Sequence, residues 1–120
     1  MNSFWFKILI IGILFLAEAL SIYYEILGAK IYADPSQSFT KVMLKMLPFI
    51  ILAAFGLFVS YVFGFKAFQS IWIVSVVSIV SILILEPILV FIIFRQLPTK
   101  GAVIGFIFGT LGFLATVLVK

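Results

Sequence analysis

A carboxylate stands near the middle of the chain's first long apolar run. Residues 4–29 read FWFKILIIGILFLAEALSIYYEILGA. A helix rises ~1.5 Å per residue, and a run of this length crosses a hydrocarbon core of ~30 Å. Glu18 falls within two or three residues of the midpoint, which puts it within roughly 5 Å of the bilayer centre. A charge at that depth costs at least ~2.5 kcal/mol on insertion scales. Such a side chain must face a partner or a cavity, and it can take up and release a proton there. The run is too long, and too acidic at its centre, for a cleavable signal peptide.

Composition agrees with a membrane reading. The 120 residues are 66% apolar and only 10% charged, against roughly half and a quarter in a soluble domain. An all-α integral membrane protein with four spans fills this length and leaves no room for a soluble domain. There is no His and no Cys, which excludes disulfides, thiol or imidazole catalysis and cysteine-based zinc sites. No cofactor is expected, and no nucleophile–base pair suggests an enzyme. The net charge of +4 is scattered over helix ends, which argues against a nucleic-acid partner.

The four helices are expected at roughly residues 4–29, 42–65, 68–94 and 101–119, as a single domain. In helix 1, Glu25 lies seven residues beyond Glu18, so the two share a face with Ser21, about 10 Å apart along the axis. Glu25 reads either as part of a polar pathway or as a headgroup-level carboxylate paired with Lys45. For Glu18 the competing reading is a structural, hydrogen-bonded carboxyl. Residues 30–41, KIYADPSQSFTK, form the longest polar stretch and read as a loop. Pro48 should relieve or kink helix 2. A short turn is expected at Gly64, Phe65 and Lys66, which makes helices 2 and 3 antiparallel neighbours.

Helix 3 carries Ser70, Ser75, Ser78 and Ser81. They form either a polar stripe facing a cavity or hydroxyls bonded back to the preceding turn. Glu86-Pro87 is the second anomaly. Counting from the helix ends places Glu86 at a depth similar to Glu18, on a helix that Pro87 should bend. Its competing reading is a carboxylate capped by a serine or a lysine. In helix 4, Gly101, Gly105 and Gly109 recur every fourth residue with Gly112 nearby. This ridge admits a close helix contact, within one subunit or between two. Loops 1 and 3 hold Lys30, Lys41, Lys45, Arg95 and Lys100. The other side has Lys7, Lys66, Lys120 and the amino terminus. That bias mildly favours both termini outside and leaves dual topology open.

The region FRQLPTKGAVIGFIFGTLGFLATVLVK, from Phe94 onward, resembles the closing hairpin of the drug/metabolite transporter superfamily. Pro98-Thr99, Gly105 and Gly112 carry the likeness, and Glu86-Pro87 is similar to a step in its EamA-type branch. LFLAEAL, residues 14–20, resembles the first helix of the small multidrug resistance family. There an embedded Glu binds both protons and substrate, a role that falls on Glu18. The resemblance implies a proton-coupled antiporter in a bacterial or archaeal inner membrane. It also implies a homodimer, often antiparallel, around one shared cavity in the lipid bilayer. Ile26 stands where the family usually has lysine, Gln96 where an acid is common, and Ser75 and Ser78 where aromatics line the drug pocket. These departures argue against polyaromatic cations as substrates.

The sequence therefore leads to a small-molecule exporter. Glu18, Glu86, Ser21 and Ser78 would be its proton and substrate site, and Glu25, Lys45 and Ser75 a secondary polar face. Gly101, Gly105, Gly109 and Gly112 would be the dimer contact. The alternative is a non-catalytic membrane subunit, such as a flippase partner or an assembly factor. A small fluoride-type channel fits the size, but conduction of an anion past Glu18 and Glu25 is electrostatically disfavoured.

Overall fold

The computed structural model describes residues 3–119. Met1, Asn2 and Lys120 lie outside the described residues, and with them the amino terminus and the Lys120 charge that entered the loop comparison. The chain forms four helices: α1 (Ser3–Tyr32), α2 (Phe39–Phe68), α3 (Ile71–Phe94) and α4 (Lys100–Leu118). The first three are long and apolar enough to cross a membrane, and α4 is a shorter apolar helix.

The helix ends follow local capping chemistry. The first loop is shorter than expected, because α1 takes in Lys30 through Tyr32 and α2 starts at Phe39. The remaining turn is held by Asp34, whose Oδ1 accepts from the Ser36 backbone N–H at 3.0 Å and the Ser36 hydroxyl at 2.9 Å. Ser38 caps α2 by accepting from the Lys41 N–H. The turn expected at Gly64–Lys66 is instead helical. Helix α2 continues to Phe68 and closes with Gln69 in the left-handed region, φ 56°, its N–H bonded to Phe65 O. Ser70 then caps α3. Gly64 serves packing rather than turning: a Cβ there would sit 3.0 Å from Val74 Cγ2. At the other end of α3, Arg95 is left-handed at φ 57°, and Thr99 caps α4.

Both internal prolines are carried within continuous helix. Pro48 lies in the third turn of α2, and α3 runs without interruption through Glu86-Pro87. Neither proline interrupts its helix. A proline omits one rung of the ladder, and the bonds on either side span the gap.

Helix α1 is the centre of the bundle. It packs on α2 and α3, whereas α4 touches α3 alone. Ile10, Leu14, Ala17, Ile22 and Ile26 form its buried stripe, at the three- and four-residue steps of one helix face. Small residues let α2 close on it: a Cβ on Gly56 would meet Ala17 Cβ at 3.1 Å. Most other large apolar side chains point outward. Trp72 is 71% exposed and Phe58 70%. A soluble monomer rarely shows so large an apolar surface, and hydrocarbon would cover it.

The ends are tied by two lysines. Lys7 lies over the Phe68 ring, 5.5 Å from its centroid. Lys30 Nζ donates to Ile93 O at 2.7 Å and sits 6.0 Å from the Phe94 ring. The second contact brings a cation to the unsatisfied carbonyls at the end of α3. It also shows that α1 and α3 finish at the same end of the bundle.

Candidate functional site

The α1–α3 interface holds the one buried carboxylate among the described residues. Ser78 Oγ donates to Glu18 Oε1 at 2.6 Å. Glu18 is 6% exposed and Ser78 4%. Both fall on the inward stripes of their helices: Glu18 continues the Leu14–Ala17 face, and Ser78 lies one turn after Val74. The second oxygen of Glu18 takes no protein donor, yet no buried side-chain oxygen or nitrogen among the described residues is left without a partner. Ser21, one turn on, is also buried.

The serines of α3 divide by role. Ser78 reaches across to α1. Ser81 bonds back to Val77 O at 2.7 Å, Ser70 caps the helix, and Ser75 is half-buried without a place in the Glu18 contact. In α2, Ser60 likewise bonds back to Gly56 O at 2.7 Å. Back-bonding is thus realised at Ser81 and an inter-helix contact at Ser78, without a continuous stripe.

Glu86 is not level with Glu18. Ser78 marks the level of Glu18 on α3, and Glu86 lies eight residues beyond it, about 12 Å along the axis. Helix α3 starts three residues later than the sequence count assumed, and α1 runs three residues longer. The longer α1 moves the two acids apart when depth is counted from the end that the helices share; the later start of α3 does not. Glu86 instead joins Glu25. The two line an open cleft of about 490 Å³ between α1 and α3, walled by Ile26, Ala29, Val90 and Phe94, with Gln96 at its end. The cleft stops short of Glu18.

Lys45 does not reach Glu25. It is exposed on α2 and pairs with no carboxylate among the described residues. Phe49, one turn along the same face, packs edge-on against Tyr23 at 5.9 Å. Tyr23 and Glu25 point to nearly opposite sides of α1, since two residues turn a helix by about 200°. Lys45 therefore lies on the flank facing away from the cleft.

The glycine ridge of α4 is mostly open. A Cβ on Gly101, Gly105 or Gly112 would meet nothing within 4 Å, and one on Gly109 would touch Leu83 at 3.5 Å. Beside it, Pro87 of α3 and Val103, Phe106, Ile107, Thr110 and Leu111 of α4 form an apolar groove. Among the described residues, no group of three or more acids comes together to hold a metal ion. Sequence reading missed the Lys30–Ile93 contact and the Phe94 wall. The available signal was a basic residue one helical turn beyond Ile26, at the level where α3 also ends.

No protein-family model, curated protein or solved structure matches this chain.

Proposed function

We propose that this chain is a small membrane transporter of the inner membrane of a bacterium or archaeon, exchanging protons for a cationic or polar small molecule. The observation that carries the reading is the buried hydrogen bond from Ser78 to Glu18. A serine hydroxyl can donate to a carboxylate and accept from a carboxylic acid. The pair can therefore stay bonded in both protonation states of Glu18, as a reversible proton site requires. Glu25 and Glu86 form the outer station, open at the end where α1 and α3 finish. Glu18 is the inner station on the same face of α1, with Ser21 between them. Proton release and cargo binding are linked because both use the same negative charge. In this reading α4 is a fourth span, and its open flank meets another copy of the chain, so that the cavity is completed between copies.

The test is a Glu18→Gln protein reconstituted in liposomes with a pH-sensitive dye inside. Addition of amines, guanidinium compounds and neutral metabolites should drive proton movement in the parent protein and none in the variant. Proton coupling that survives in Glu18→Gln would rule out Glu18 as the shared site.

A second reading is a non-catalytic membrane subunit. Two observations favour it: α4 packs on α3 alone, and the acidic cleft does not extend to Glu18. Purification discriminates. Self-assembly of the isolated chain supports transport, and a chain stable only alongside a different protein supports the subunit role.

A further inference from the structure

Two unpaired features lie at nearly one level on opposite flanks of the bundle. The first is the cleft with its two carboxylates. Glu86 is eight residues, about 12 Å, from the end of α3 at Phe94, so a bilayer around this bundle would leave a half-buried acid against hydrocarbon unless something polar covers it. The second is Lys45, an exposed cation in the second turn of a membrane-length helix. Its level is given by Gly28, whose Cβ position lies 3.7 Å from Met46 and 3.8 Å from Val42. Gly28 is three residues from Glu25, less than one helical turn. Lys30, next to the lining residue Ala29, is already bonded to Ile93 O, and neither Lys30 nor Arg95 forms an ion pair with the two acids among the described residues.

We infer that copies of this chain associate side by side in the same orientation, the Lys45 side chain of one copy entering the Glu25–Glu86 cleft of the next. Charge complementarity and common depth carry the assignment. A flexible four-carbon stem suits a cleft walled by Ile26, Val90 and Phe94, while the ammonium meets the two acids. Because donor and acceptor lie on opposite flanks, one contact cannot satisfy both. The contact is heterologous, and it closes into a ring if the rotation per copy allows. An antiparallel pair, by contrast, would put Lys45 and the cleft at opposite membrane faces. The inference goes beyond the proposed function: a copy whose cleft holds the neighbour's Lys45 has its outer station closed, and a cationic cargo must displace that lysine to enter.

The chain has no cysteine, so engineered thiols report without background. Lys45→Cys carrying one epitope tag and Glu86→Cys carrying another are co-expressed, and the membranes are treated with a short bis-maleimide, because a lysine–glutamate contact holds the two backbones too far apart for a direct disulfide. A cross-linked band with both tags is expected, as is a ladder of two, three and more copies from the double variant Lys45→Cys/Glu86→Cys. Absence of the two-tag band overturns the inference, as does a ladder that stops at two. As a check free of thiols, Lys45→Glu alone should lose self-association in detergent. Co-expression of Lys45→Glu with Glu86→Lys should recover it, by at least half of the assembled fraction. Failure to recover, with both chains inserted at parental levels, also overturns it. Liposome transport can fail while these cross-links form, so the two proposals fall separately.

Discussion

Ser78 and Glu18, 60 positions apart in the chain, are joined by a 2.6 Å hydrogen bond across the α1–α3 interface, with both side chains buried. The contact marks the register of the two helices, and that register decides which acids lie level with each other: Glu86 falls beside Glu25 and away from Glu18.

Removing the donor should cost more than neutralising the acceptor. Ser78→Ala leaves a buried carboxyl short of its partner, a loss of about 1–3 kcal/mol. Glu18→Gln keeps an oxygen that can accept the same bond, so its thermal unfolding temperature in detergent should fall by less. Equal losses for both, with no coupling in the double variant, would mean that the bond contributes nothing to stability.

Glycines of the core and of α4 should separate cleanly. Gly64→Ala drives a methyl against the stiff, β-branched Val74, and Gly56→Ala against Ala17 Cβ. Each should destabilise by about 1–3 kcal/mol through overpacking. Gly101→Ala and Gly105→Ala enter open space and should be neutral or stabilising by up to about 1 kcal/mol through helix propensity. Unfolding in a denaturing-detergent titration measures all four. A loss at Gly101 or Gly105 comparable to that at Gly64 would contradict the packing described.

The lysine at the end of α1 should protect the end of α3. Lys30→Met keeps the stem and removes the donor to Ile93 O. The contact is exposed, so about 0.5–1.5 kcal/mol is at stake. Hydrogen exchange should quicken at residues 91–95 and leave the α1–α2 contact unchanged. Uniform quickening over all the helices would assign Lys30 a different role.

The turn between α1 and α2 has its own pH window. The Ser36 backbone N–H and hydroxyl bond the charged Asp34 side chain and hold its carboxyl below the ordinary 3.8. A lowered folded-state value means that the turn's stabilisation is present above 3.8 and is lost as pH falls through the lower, folded value. A carboxyl carbon titration by NMR should place Asp34 below its unfolded reference, and Asp34→Asn should remove the transition. Titration at or above the reference would contradict the turn geometry.

Much of the architecture is legible in the chain because long apolar runs admit few solutions. With no water available, the backbone must bond to itself, and at this length that means helices. The runs and the polar breaks placed all four helices to within a few residues. Gly64 misled because glycine has two uses, turning and close packing, and only the position of Val74 distinguishes them. Pro87 lies inside a continuous α3, since a single missing rung need not interrupt a helix.

The chemistry of the site divides along the same line. That Glu18 needed a polar partner followed from the sequence alone, because an acid at mid-span is costly wherever the helix packs. Which hydroxyl would meet it, among Ser75, Ser78 and Ser81, depended on the axial offset between α1 and α3. That offset is set by side chains interlocking across the whole interface, and no local pattern encodes it. The same offset brought Glu86 to Glu25, and the facing of α2 on α1 parted Glu25 from Lys45. Depth within one helix can be counted along the chain, but proximity between helices exists only once they have packed.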